Sequence, residues 1–301
     1  MSRARPILPG KTYIVTRRCL EQRFFLRPSA RVNAIVLFIL AVALERSGIL
    51  LHAYCVLSNH WHFVLTDPGG RLPVFNQYLD SLVARAVNLV NGRRDRFWES
   101  GSYSAVQLET PATSLQKIAY TLANPVAAGL VRHAHEWPGL WSGIDRIGGE
   151  AIDVERPADF FRDGKRKRAR MPRSASLRLH LPPGFDSVES FQAQLRQALE
   201  AAEEHSAHEI ASSGRTFLGA ARALAQSPLA RPRTIALPRE INPRVASTDT
   251  SKRIAALARL AEFLAAYQEA LAEWRRGVRD ALFPPGTYLM RVVHGVRCAA
   301  T

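Results

Sequence analysis

Cysteine is scarce in this chain. Cys19, Cys55 and Cys298 are the three present in 301 residues, far apart and without Cys-x-x-Cys spacing. That argues against a disulfide-stapled scaffold or a zinc ribbon and fits a reducing, cytoplasmic compartment. Long apolar runs are lacking too. The most apolar stretch, Val32 to Leu44, is too short to span a bilayer and ends at Glu45-Arg46. It reads as a buried amphipathic helix, and no membrane partner is expected. The N-terminus has no hydrophobic core of signal-peptide type. Acidic residues fall short of basic ones, 26 against 41, for a formal net charge of +15 and a pI near 10.6. Such a balance favours a polyanionic partner, most often nucleic acid. Almost all of the positive charge is arginine, which suits bidentate phosphate contacts.

The chain is organised around Tyr54-Cys55-Val56-Leu57-Ser58-Asn59-His60-Trp61-His62-Phe63-Val64-Leu65-Thr66. Apolar and β-branched residues on either side of a Ser-Asn turn pair predict two short strands. Residues two apart on a strand share a face, so His60 and His62 leave the sheet together while Trp61 points the other way. Two imidazoles on a rigid strand can begin a divalent-metal site. A lone His-x-His also arises by chance. His133-Ala134-His135 has the same spacing, lies among Arg132, Glu136 and Pro138, and reads as exposed loop.

Periodicity and punctuation predict strands over Thr12–Thr16, Ile49–Val56, His60–Thr66 and Ser102–Leu108. Helices are predicted from Ala30 to Arg46, capped by Ser29, and from Pro73 to Asn91. A third starts at Thr110-Pro111 and carries Tyr120. The order β-α-β-β-α-β-α gives an α+β class, a ferredoxin-like βαββαβ sheet with an added helix. The first and third strands should be central. Residues 1–150 form this domain, 151–185 read as a basic, Pro/Arg-rich linker, and 186–301 as a mainly helical extension of unassigned role. Within the extension, Asp186-Ser187-Val188-Glu189 opens one helix and Ser227–Asn242 is loop. A long helix runs from about Ser251 to Leu282, its stripe through Ile254, Leu257 and Leu264 marking core or a dimer seam.

Tyr120 and Asn124 are four apart and share a helix face. A phenol can attack a phosphodiester when a metal polarises the phosphate. Two imidazoles and one amide oxygen, from His60, His62 and Asn124, make a neutral ligand set with room for phosphate oxygens on Mg²⁺ or Mn²⁺. Each residue also has a plain alternative: Tyr120 as a core aromatic, Asn124 as a helix-terminal residue before Pro125.

The strand-turn-strand motif followed by Tyr120-x-x-x-Asn124-Pro125-x-x-Ala128-Gly129-Leu130-Val131 resembles the REP-associated tyrosine transposases, a branch of the single-tyrosine HUH transposases. The resemblance covers roughly residues 5–140. It implies a metal-dependent single-stranded DNA nickase and strand transferase, an HUH-type endonuclease-ligase acting on palindromic hairpin DNA. Tyr120 would be the nucleophile of a 5′-phosphotyrosine intermediate, with His60, His62 and Asn124 as metal ligands. The family is often dimeric, so a homodimer is among the expected partners, and DNA binding implies nucleoid association. Arg17 and Arg18, and the basic loop of Arg93, Arg94 and Arg96, are the expected DNA contacts. Ser58 stands where the family mostly has proline, Ala127 replaces a frequent arginine, and a usual glycine-arginine cluster is missing after Trp98. The alternative is a catalytically retired hairpin-binding protein of the same fold. An RNA-binding module is weaker, because Tyr13 and Trp61 are not arranged as a stacking platform.

Overall fold

In the computed structural model, residues 4–101, 103–158, 171–232 and 243–300 are described. The chain folds in the order β1 (Lys11–Arg18), α1 (Ala30–Ser47), β2 (Leu50–Val56), β3 (His60–Asp67), α2 (Leu72–Val90), β4 (Ser104–Leu108) and α3 (Pro111–Ala127). β5 (Ile152–Glu155), β6 (Ser174–Leu177), α4 (Val188–Ser212), α5 (Ala220–Ala225), β7 (Val245–Ala246) and α6 (Thr250–Arg275) follow. The main sheet has the order β2-β3-β1-β4-β7. Its first four strands are antiparallel neighbours, with β3 and β1 central as expected, and β7 joins β4 in parallel at the edge.

The expected helix starts are where the caps form. The Ser29 side chain accepts from the Val32 amide, Thr110 from Thr113 and Ser187 from Ser190, each at 3.1 Å. Each bond satisfies an amide that the first turn leaves orphaned, worth about 1 kcal/mol. α1 ends at Gly48, whose φ of 69° suits a residue without Cβ. Asp67, fully buried, closes β3 and opens α2 by accepting from the amides of Arg71 and Leu72, both at 2.8 Å.

One apolar core holds the sheet, α1 and α2. Trp61 is wholly buried, its ring centre 4.5 Å from that of Trp98 and 5.2 Å from that of Phe63. Residues on both sides of position 150 share this core: Val154, Leu177, Phe191 and Leu195 lie in the same cluster as Val15, Phe63 and Phe75. β5 and β6, inside the segment read as a linker, pair with each other, and the Ser176 amide donates to Glu45 of α1 at 2.6 Å. The basic run at 164–170 lies outside the described residues.

The long C-terminal helix is shorter than its periodicity predicts. It stops at Arg275, and Gly277 then takes a φ of 99° that breaks the spiral. Tyr267, Leu271 and Trp274 of its expected apolar stripe pack against the cluster around Phe283, but the N-terminal part of the stripe does not face the core, since Ile254 is 61 % and Leu257 46 % exposed. Ala256, Phe263 and Ala270 are buried instead. Local spacing fixes a helix's period but not which stripe meets its neighbour.

Candidate active site

The site sits on the α3 side of the two central strands. β1 and β3 pair so that Thr16 stands opposite His62 and Arg18 opposite His60. The His60 and His62 ring centres are 5.0 Å apart at 87°. α3 lays Tyr120 across them, its ring edge-on to His62 with centres 5.5 Å apart at 81°. Tyr120 is 45 % exposed and Asn124, one turn on, only 6 %. The Asn124 side chain lies close enough to His60 to act on its titration. α3 is fixed beneath them by Ile118, Leu122 and Val126, which are fully buried, and by the Trp141 Nε1–H donating to the Leu122 carbonyl at 2.9 Å. The helix runs through Pro125 to Ala127, so Asn124 lies inside it rather than at its end.

Each imidazole is held by its Nδ1. His60 Nδ1 lies 2.6 Å from the Asn59 Oδ1, and Asn59 is oriented by its own Nδ2 donating to the Gln22 carbonyl at 3.2 Å. His62 Nδ1 lies 2.8 Å from Thr16 Oγ1. With the amide and hydroxyl oxygens accepting, both rings keep the Nε2 lone pair, the tautomer a metal ligand requires. Burial pushes His60 down to about 4, with the Arg18 charge adding to the shift and the nearby Asn124 side chain opposing it. Burial also holds His62 well below the ordinary imidazole value, reinforced by His60, Arg18 and Lys117. Both rings are therefore neutral near pH 7. Among the described residues no group of three His, Cys, Asp or Glu side chains is placed to hold a metal. Two neutral imidazoles and one amide are chemically suited to a divalent cation that also takes phosphate oxygens.

The structure thus gathers His60, His62, Tyr120 and Asn124. Three further neighbours support the cluster without belonging to its motif: Asn59, Thr16 and Lys117. Asn59 looked like a turn residue, and Thr16 reaches His62 through a strand register that the sequence does not display. Lys117, whose Nζ lies 5.5 Å from the Tyr120 ring centre, could have been found from its three-residue spacing.

The arginines separate. Arg18 lies beside the histidines, close enough for its charge to act on both. Arg17, on the opposite pleat, is committed internally: it pairs with Asp80 at 3.3 Å, donates to the Gly101 carbonyl at 2.9 Å and lies over Trp98. Arg93 stacks 4.0 Å from the Phe25 ring centre, whereas Arg94 and Arg96 are exposed. The second histidine pair, His133 and His135, stacks elsewhere against α4, with His133 3.3 Å from Glu203.

Neither the family models nor the curated proteins compared give a match. Among solved structures, the chain is similar to a REP-associated tyrosine transposase bound to a REP hairpin. Identity there is 14 % and the TM-score 0.42, over 48 % of this chain and 84 % of that one. It is also similar to a candidate transposase from Deinococcus radiodurans R1, at 20 % identity and a TM-score of 0.29, over 40 % of this chain and 95 % of that one.

Proposed function

We propose that the chain is a metal-dependent single-stranded DNA nickase and strand transferase of the HUH tyrosine transposase type, acting on hairpin DNA. One observation carries the reading: the exposed Tyr120 ring lies edge-on to His62, with His60 and Asn124 completing the cluster. A divalent cation on His60, His62 and Asn124 would supply Lewis-acid polarisation of the scissile phosphate. Arg18 and Lys117 add fixed positive charge at the same corner, where a phosphate would be held. Tyr120 forms a bond from its phenolic oxygen to phosphorus, and the bond from phosphorus to the 3′ oxygen breaks. The 5′ side stays on Tyr120 as a phosphotyrosine. The phenolic proton goes, in the net balance, to the released 3′ hydroxyl. One ester replaces another, so rejoining is the reverse step and needs no external energy.

Hairpin DNA as substrate, and a second copy of the chain as partner, are proposed on the motif resemblance. No helix among the described residues is long and apolar enough to cross a membrane. The test is incubation of the protein with labelled single-stranded hairpin DNA from its own gene flanks, with and without Mn²⁺, beside Tyr120→Phe. A protease-sensitive covalent adduct seen only with wild type and metal is expected. Hairpin binding with no adduct on any flank oligonucleotide would instead favour a retired, binding-only protein.

A further inference from the structure

A second cavity lies behind the candidate active site. Along β1, Thr12 and Thr16 point to the His62 side, where they bond Thr66 and His62. Lys11 and Tyr13, on the opposite pleat, line a cavity of about 420 Å³ roofed by α6. That volume falls in the range of small-molecule sites, roughly 300–1,000 Å³. Its lining carries more cations than anions, with Arg5, Lys11, Arg244 and Arg259 against Glu262 and the Glu109 carboxylate that pairs with Arg259. Two of these cations are held in place: Arg5 donates to the Tyr103 carbonyl at 3.2 Å, and Arg259 pairs with Glu109 at 2.8 Å.

Between the cations the walls are apolar and aromatic. Phe263 from α6 and Tyr13 from β1 both line the cavity and are more than nine-tenths buried. The Tyr13 hydroxyl is buried with the Leu8 backbone beside its oxygen and no acceptor within hydrogen-bond geometry for its proton, and burial holds that proton on well above the usual phenol range. A buried donor of this kind costs about 1–3 kcal/mol when left unsatisfied, so a ligand oxygen that accepts from it is favoured. Fixed guanidinium groups, an aromatic wall and an unsatisfied hydroxyl donor together match a planar ring joined to a phosphate.

We propose that this cavity binds a nucleotide, its base against Phe263 and Tyr13 and its phosphate toward Lys11 and Arg259. The ligand chemistry is shared by a free mononucleotide and by one nucleotide of a single strand. The inference stands apart from the Tyr120 chemistry, because it uses the other face of the sheet.

The full-length protein would be titrated calorimetrically with deoxyadenosine monophosphate, deoxyadenosine, inorganic phosphate and pentadeoxyadenylate. Ala266 is exposed at the cavity wall, so Ala266→Trp fills the space without disturbing the core. Saturable nucleotide binding is expected, weakened about tenfold or more by Ala266→Trp and several-fold by Tyr13→Phe, and unchanged in Tyr120→Phe. Deoxyadenosine and phosphate, each lacking half of the ligand, should bind more weakly than the nucleotide. Tighter binding of the pentanucleotide, still lost in Ala266→Trp, assigns the cavity to a strand; equal or weaker binding assigns it to the free nucleotide. No saturable binding of either ligand, or binding that Ala266→Trp leaves intact, overturns the proposal. Failure here leaves the Tyr120 adduct assay untouched, so the two readings fail separately.

Discussion

His62 meets Tyr120 edge to face across the gap between a central strand and α3, the ring centres 5.5 Å apart. His62 is in turn pinned from behind by Thr16 at 2.8 Å. The nucleophile candidate and the metal-ligand candidate are thus set by two different packing events, the β1–β3 register and the seating of α3.

The supports behind the histidines should matter almost as much as the histidines. Thr16→Val and Asn59→Ala remove the oxygens that hold the two Nδ1 atoms. Each is expected to weaken Mn²⁺ binding by about 10–100-fold, as losing an outer-shell partner typically does. Metal titration followed by paramagnetic relaxation or calorimetry would check this, with Thr16→Val the cleaner variant because Asn59 also ties down Gln22. Wild-type affinity in both variants would show that the rings need no such orientation.

Two arginines of the loop before β4 are free to meet phosphate, and a third is not. Arg94 and Arg96 are exposed, while Arg93 covers Phe25. The double variant Arg94→Ala/Arg96→Ala should lower the slope of log K against log salt for hairpin binding by roughly 1–2. Arg93→Ala should instead lower the urea midpoint. An unchanged salt slope in the double variant would remove this loop from the DNA interface.

Stability should fall on the acid side of neutrality because buried histidines must stay neutral. His52 lies at a bulge in β2, its Nδ1 2.8 Å from the His180 carbonyl and its Nε2 2.8 Å from Thr66 Oγ1. Since the carbonyl only accepts, Nδ1 carries the proton and Nε2 accepts from Thr66. Burial depresses His52 from 6.5 to about 4, the His180 hydrogen bond opposing this. Between those values the unfolded chain binds more protons than the folded one. The stabilising contribution is therefore complete above 6.5 and is lost as the pH falls toward about 4. His60 and His62 act in the same sense. Urea midpoints at about pH 7.5 and about pH 5 should differ in wild type and differ less in His52→Gln. Equal drops in the two proteins would refute the assignment.

The segment after α3 is clamped onto β2 through a position without a side chain. Trp137 Nε1 donates to the Val56 carbonyl at 2.9 Å, and a Cβ on Gly139 would overlap that indole ring and press on the same carbonyl. Gly139→Ala should therefore cost about 1–3 kcal/mol, measurable as a lower unfolding midpoint. Because Val56 closes the strand that turns into His60, the same variant should also weaken metal binding. A midpoint within error of wild type would mean that Trp137 has room to move.

Much of the site was legible along the chain. Strand parity placed His60 and His62 together with Trp61 opposite, helix periodicity placed Tyr120 and Asn124 on one face, and Ser29, Thr110 and Ser187 marked their helix starts. These features have periods of two and of 3.6 residues, set by backbone geometry within a few positions, so a local pattern is enough to read them. Only the tertiary structure decided that Thr16 backs His62, that Asp80 claims Arg17, that Phe25 claims Arg93, and that Ala256 and Phe263 rather than Ile254 turn inward. It alone brought β7 and α6 to the edge of the sheet and enclosed the cavity over Tyr13. Register, charge pairing and helix rotation depend on contacts between residues tens to hundreds of positions apart, and the lowest-energy pairing among many local equivalents is chosen by packing and desolvation over the whole molecule.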